Sequence, residues 1–207
     1  GGLAKVPMDD GSRITLNTNS HLAVSVSKSR RRVELEHGEA FFEVAPDPSR
    51  PFVVVAGGRR VTAVGTQFSV RRDGDLVEVI VTEGKVRMDD GTRRSSRGEP
   101  VLLTAGYIAH STRSGLRVEQ KSLQDAESRL SWRFGVLKFR DLPLGEAVAE
   151  FNRYNARKIV IADPAVAALR IEGNFRPTQV QAFVRLLESG FPVRVVTEGD
   201  RIVLASK

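Results

Sequence analysis

Two linked blocks of alternating apolar and polar residues constrain this chain more than any other feature. The first, Arg31 to Ala45, reads R-R-V-E-L-E-H-G-E-A-F-F-E-V-A. The second runs V-T-A-V-G-T-Q-F-S-V from Val61 to Val70, then V-E-V-I-V-T-E-G-K-V-R-M from Val77 to Met88. A period of two puts successive side chains on opposite faces of an extended chain, so both blocks predict half-buried strands. In the first block Val33 and Leu35 share a face that Ala40, Phe42 and Val44 continue beyond a turn at His37-Gly38, while Glu34, Glu36, Glu39 and Glu43 take the other. A comparable turn is predicted at Glu83-Gly84-Lys85. Asp10-Gly11, Asp73-Gly74 and Asp90-Gly91 are turn dipeptides, because glycine accepts positive φ without a steric penalty. Residues 1–117 therefore read as an all-β domain, β-roll or β-sandwich-like. Gly98 to Gly106 closes its β region, and Ser111 to Arg117 is a polar, turn-rich stretch.

Beyond it the pattern changes. Residues 118–132, poor in apolar side chains, are expected to be a linker with room for a short helix, and Trp132 to pack at a corner between domains. Residues 133–207 predict a small α+β domain in the order β-α-β-β-α-β-β. Its first strand is Val136 to Phe139, and a helix starts at Asp141-Leu142-Pro143. Leu144, Ala147, Val148 and Phe151 form the buried stripe of that helix, and Asn155 is its left-handed end. Lys158 to Ile161 and Leu169 to Phe175 are strands. A second helix opens with capping-box spacing at Thr178 to Gln181 and buries Val180, Phe183, Val184 and Leu187. Pro192 to Val196 and Arg201 to Ala205 pair as a hairpin. The chain as a whole is thus mainly β.

Several chemistries are excluded by composition. With no cysteine there is no disulfide, thiolate metal site or thiol nucleophile. His21, His37 and His110 are scattered without a second ligand at helical spacing, so no metal or cofactor is expected. Glu39 and Glu43 can share a strand face, and read as solvated carboxylates rather than an acid-base pair. No nucleotide-binding or hydrolase fingerprint occurs. The net charge is +7, and the basic runs Arg30-Arg31-Arg32, Arg59-Arg60, Arg71-Arg72 and Arg93-Arg94 read as solvated turn corners. Aromatic residues do not interleave with them, so direct nucleic-acid binding is not expected. No apolar run is long enough to span a membrane, so the chain is expected to be soluble as given, and the start at Gly1 suggests an excised fragment or a tag remnant.

The order of the first segments, D-G-S-R-I-T-L-N-T-N-S from Asp10 to Ser20 followed by the two blocks, resembles the periplasmic region of the FecR family of anti-sigma regulators. The later F-R-D-L-P-L-G-E-A-V-A-E-F-N-R-Y-N and I-E-G-N-F-R-P-T-Q-V-Q-A-F-V-R-L-L resemble the short secretin and TonB N-terminal (STN) domain. These resemblances imply the periplasmic part of a single-pass inner-membrane protein. Its partners would be the N-terminal signalling domain of a TonB-dependent siderophore receptor, periplasmic and intramembrane proteases, and an ECF sigma factor held by a missing N-terminal region. An STN-containing secretion or outer-membrane assembly component is the alternative. Receptor contact is expected at Leu142, Leu144 and Phe151, or along a sheet edge at Arg170, Ile171 and Glu172. The resemblance also places a self-cleavage at Gly65-Thr66. There a threonine hydroxyl attacks the preceding carbonyl and water cleaves the resulting ester, a single turnover rather than an enzyme activity. The other reading makes Gly65 a bulge and Thr66 an ordinary strand residue.

Overall fold

The computed structural model describes residues 2–90 and 99–207, and the chain divides into two compact units, residues 3–130 and 131–207. Gly91 of the Asp90-Gly91 turn, the Arg93-Arg94 corner and Gly98 lie outside the described residues.

In the first unit the alternating segments become strands β1 (Ala4–Pro7), β2 (Arg13–Leu16), β3 (His21–Val26), β4 (Arg31–Glu43), β5 (Phe52–Ala56), β6 (Arg59–Ala63), β7 (Gln67–Asp73), β8 (Leu76–Glu83) and β9 (Lys85–Asp90). They continue as β10 (Val101–Thr104), β11 (Tyr107–Thr112) and β12 (Gly115–Gln120). The strands form one curled sheet with two halves, in the orders β10-β9-β6-β5-β4-β3 and β1-β2-β4-β7-β8-β11-β12. Both halves share β4. Residues 31–35 of β4 pair with β3 and, in parallel, with β5; residues 38–43 pair with β7, and 40–43 also with β2.

The expected turns at His37-Gly38 and Glu83-Gly84-Lys85 are therefore corrected. The chain bends there without reversing, and passes from one half of the sheet to the other. At Gly38 (φ +86°) an added Cβ would lie 2.5 Å from the Asn19 carbonyl oxygen, so the corner needs glycine for both conformation and space. The bend brings the inward faces of both halves together. Val33, Leu35, Phe42, Val54, Val61, Phe68, Val79, Val81 and Val86 fill the interior, with Phe42 5.2 Å from Phe68 and 5.8 Å from Phe52, ring centre to ring centre.

Polar readings needed more correction. Arg31 is no solvated corner but is fully buried beside Phe52. Its Nε donates to the Arg50 carbonyl (2.6 Å), Nη1 to the Ala45 carbonyl (2.9 Å) and Asp10 Oδ2 (3.0 Å), and Nη2 to the Asp47 carbonyl (3.2 Å). Arg59, Arg60, Arg71 and Arg72 are half-buried within strands. Glu39 is buried too, accepting from Asn17 Nδ2 (2.9 Å) and Ser69 Oγ (3.3 Å), whereas Glu43 pairs with Arg13 at 2.8 Å. On this outward face Glu39, Arg71, Glu78 and His110 stand in register across four strands, and His110 Nδ1 lies 3.3 Å from Glu78 Oε2. Opposite charges in neighbouring strands stabilise the pairing, which apolar periodicity does not reveal.

The β region also extends further than expected. Ser111 to Gln120 belongs largely to the β11–β12 hairpin, and helix α1 (Leu123–Arg129) follows, capped by Ser122, whose oxygen accepts from the Asp125 amide. Leu116 and Val118 stay substantially exposed, so this hairpin buries little and its pattern looks like a loop.

The second unit opens with a 3-10 turn, Ser131–Phe134, in which Trp132 is buried. It continues with β13 (Leu137–Pro143), α2 (Leu144–Tyr154), β14 (Lys158–Ile161), α3 (Pro164–Ala168), β15 (Arg170–Phe175), α4 (Val180–Gly190), β16 (Val193–Glu198) and β17 (Arg201–Ser206). β13 and β15 pair antiparallel; β14, β17 and β16 form a second small sheet in which β14 runs parallel to β17. The expected element order stands with α3 added, and Asp163-Pro164 is the start signal that would have revealed it. Asn155 is extended (φ −120°) rather than left-handed: its Nδ2 donates to the Phe151 and Pro177 carbonyls and closes α2 through the side chain. Likewise Thr178 makes no capping box, since α4 begins at Val180 without a side-chain cap.

Replacing Arg31 with methionine leaves the Asp10 carboxylate buried without its cation, and is expected to cost about 3–5 kcal/mol in denaturant unfolding. Burial alone would raise the Asp10 pKa, but the hydrogen bonds from Arg31 and Ser12 prevail and hold it below the ordinary 3.8. Stability from this contact is therefore fully present above that value and lost as pH falls through the lower folded one. The Asp10→Asn variant should be less stable than the parent at pH 7 and lose less between pH 5 and pH 2, read as unfolding midpoints.

Candidate functional site

Gly65 and Thr66 form the link from β6 in one half of the sheet to β7 in the other. Gly65 is left-handed (φ +74°), and its missing Cβ makes room for Pro46, whose Cγ would lie 3.0 Å away. Thr66 is 2% exposed; its Oγ1 donates to the Lys85 carbonyl at 3.0 Å, and its own carbonyl accepts from the Val44 amide at 3.0 Å. From the other side comes the corner at Gly84, also left-handed (φ +74°). A Cβ there would sit 3.0 Å from the Gly65 carbonyl oxygen and 3.3 Å from Thr66 Oγ1. Three segments distant in sequence thus converge on one peptide bond.

The surroundings of this bond are ordered rather than open. Gln67 Nε2 donates to Glu83 Oε2, and Thr82 Oγ1 donates to the Gln67 carbonyl at 3.2 Å, which fixes β7 against β8 directly after Thr66. Val64, Gly84 and Lys85 are exposed, so solvent lies close. The bond therefore combines a carbonyl without a side chain on its own residue, a hydroxyl held by a hydrogen bond and exposed neighbouring residues. Sequence reasoning singled out Gly65 and Thr66 but missed Pro46 and Gly84, which become neighbours only in the fold. Among the described residues no group of three His, Asp or Glu side chains could hold a metal ion.

The residues expected to meet a partner in the second unit divide sharply. Leu144, Phe151 and Ile171 have buried side chains, so the apolar face of α2 offers no open surface through Leu144 and Phe151, while Ile171 takes part in the β15 edge through its backbone. Phe151 stacks on Phe183 at 4.1 Å in a cluster with Phe139 and Phe175, and the stripe of α2 is spent on this core. Leu142 is half-buried; Arg170 and Glu172 are exposed. They lie on or beside β15, which has β13 on one side and no strand on the other among the described residues. The ladder between them shifts register between Phe139 and Leu142, and Asp141 takes positive φ (+45°), a conformation aspartate tolerates better than most residues. Asp141 grips Arg170 by two bonds, Nε to Oδ1 at 2.9 Å and Nη2 to Oδ2 at 2.8 Å. This hydrogen bonding and the adjacent positive charge lower the Asp141 pKa. The result is an exposed charged clamp at the end of an open strand.

The FecR protein family matches residues 1–87. Two crystal structures of a candidate anti-sigma factor from Parabacteroides distasonis ATCC 8503 are similar to the whole chain at 25% identity. One has a TM-score of 0.81 and is covered over 96% of its length, the other 0.79 and 95%. Among curated proteins no sequence matches.

Replacing Gly84 with alanine should destabilise the first unit by about 1–3 kcal/mol. Gly74 is also left-handed, but nothing lies within 4 Å of an added Cβ there. The Gly74→Ala variant is therefore the control, and the larger loss at Gly84 in thermal or denaturant unfolding measures the contact with the Gly65 carbonyl.

Proposed function

We propose, for a chain that stands with the FecR-family anti-sigma factor regulators, that it forms the periplasmic, signal-receiving part of a membrane-anchored regulator. The observation that carries this reading is the FecR match over residues 1–87, joined to anti-sigma neighbours that span both units. No helix among the described residues is long and apolar enough to cross a membrane. Residues 133–207 serve as an STN-like signalling domain. It receives the N-terminal signalling domain of a TonB-dependent siderophore receptor, and the signal reaches an ECF sigma factor through proteolysis of the membrane-anchored chain.

The receptor docks on the open side of β15, where Arg170 and Glu172 are exposed, and half-buried Leu142 of the paired strand β13 adds apolar surface beside that edge. An added strand would satisfy unpaired backbone groups, and the Arg170–Asp141 clamp would discriminate among charged partners. Titration calorimetry against the signalling domains of all TonB-dependent receptors of the same organism tests this. Saturable binding to one of them, weakened about tenfold or more by Arg170→Glu, is expected. Failure of the complete set to bind would overturn it.

Self-cleavage at Gly65-Thr66 is the second element. Thr66 Oγ attacks the Gly65 carbonyl carbon, the bond to the Thr66 nitrogen breaks, and the hydroxyl proton ends on the new amine. Water then hydrolyses the ester, leaving a Gly65 carboxylate and a restored Thr66 hydroxyl. The hydrogen bond to the Lys85 carbonyl holds Oγ, and the left-handed glycine leaves the carbonyl carbon uncrowded. The halves would remain associated, because β4 pairs with β7 and β6 with β9 across the cut. Mass spectrometry of the purified chain should find fragments ending at Gly65 and beginning at Thr66 that separate only in denaturant. Thr66→Ser should still cleave and Thr66→Val should not. An intact wild-type chain, or equal cleavage of the valine variant, would remove self-cleavage and leave the regulator reading untouched.

A further inference from the structure

Among the described residues the curled sheet leaves four strands at its edges: β1, β3, β10 and β12. Exposed edges invite pairing with other chains, and proteins blunt them with charge, proline or brevity. β1 carries Lys5 and Pro7, β12 carries Arg117 and Glu119, and β10 is four residues long. By contrast β3, H-L-A-V-S-V, is six residues long without Lys, Arg, Asp, Glu or Pro. It pairs with β4 on one side only.

The side chains of this edge are equally unprotected. Leu22, Val24 and Val26 stand opposite Leu35, Val33 and Arg31 and so share the inward face. Even so, Val24 is 45% and Val26 41% exposed, because no strand lies beyond them to complete the cover. Just past the strand, Ser27 to Arg30 form an exposed loop bearing Lys28 and Arg30, and among the described residues no ion pair engages either side chain. From Asn17 to Arg30 there is no carboxylate at all. A second copy of this segment would thus bring nothing to meet the two cations.

We propose that the β3 edge is a docking site for an extended segment of another protein, one with apolar residues at alternate positions and acidic residues at the end beside Lys28 and Arg30. The added strand takes up the free backbone groups of β3, covers Val24 and Val26, and is oriented by charge at the loop. The site lies in the first unit and is independent of the receptor contact placed on β15.

The probe is the synthetic peptide Asp-Glu-Thr-Val-Thr-Val-Thr-Val-Glu-Asp, acidic at both ends so that either strand direction is tested, with a version carrying lysine at the four acidic positions as control. Hydrogen exchange on the whole chain should show added protection confined to the β3 region with the acidic peptide. The lysine peptide should bind at least about tenfold more weakly. Val24→Lys should abolish binding without lowering the melting temperature, and Lys28→Glu with Arg30→Glu should reverse the preference between the peptides. Absence of protection with either peptide, or equal affinity for both, would overturn the proposal. So would concentration-dependent self-association in sedimentation that Val24→Lys abolishes, since the edge would then serve a second copy.

Discussion

The buried guanidinium of Arg31 is the contact on which the first unit turns. A cation is far more costly to bury than an apolar side chain, and is tolerated only when its donors are matched. Here they reach Asp10 and the carbonyls of Ala45, Asp47 and Arg50. Those carbonyls belong to the segment that leaves β4 and returns as β5. Asp47 holds the same segment locally through Ser49 and Arg50, bonds that lower its pKa to about 2. One side chain at the start of β4 therefore governs the course of the chain after that strand ends.

The consequence reaches the Gly65-Thr66 bond. Val44, which donates to the Thr66 carbonyl, and Pro46, which packs on Gly65, flank the Ala45 carbonyl held by Arg31. From the opposite side, the Gly84 corner meets the same bond because β8 and β9 lie in different halves of the sheet. The site is thus a by-product of closing the sheet: two left-handed glycines and one proline meet where strands change partners.

In the second unit the division of labour is by burial. The aromatic cluster of Phe139, Phe151, Phe175 and Phe183 packs the inward faces of α2 and α4, while Arg170 and Asp141 at β15 stay exposed. The amphipathic stripe of α2 was legible in the sequence, but its role was not. A period of 3.6 reports that one face is buried, and a core and a partner bury it equally well.

Sequence alone determined the mainly β character, the change of period beyond residue 132 and the element order of the second unit, all of which rest on local patterns of two to seven residues. Tertiary structure alone decided that Gly38 and Gly84 are corners rather than reversals, that Arg31 and Glu39 are buried, and that β3 is left at an edge. Alternation specifies which side chains share a face, but not which strand lies beside it. Burial of Arg31 depends on partners up to 21 residues away, and the Gly65–Gly84 contact spans a comparable gap. Such contacts exist only once the sheet has curled, because closure of the two halves, and not any local propensity, brings the segments together.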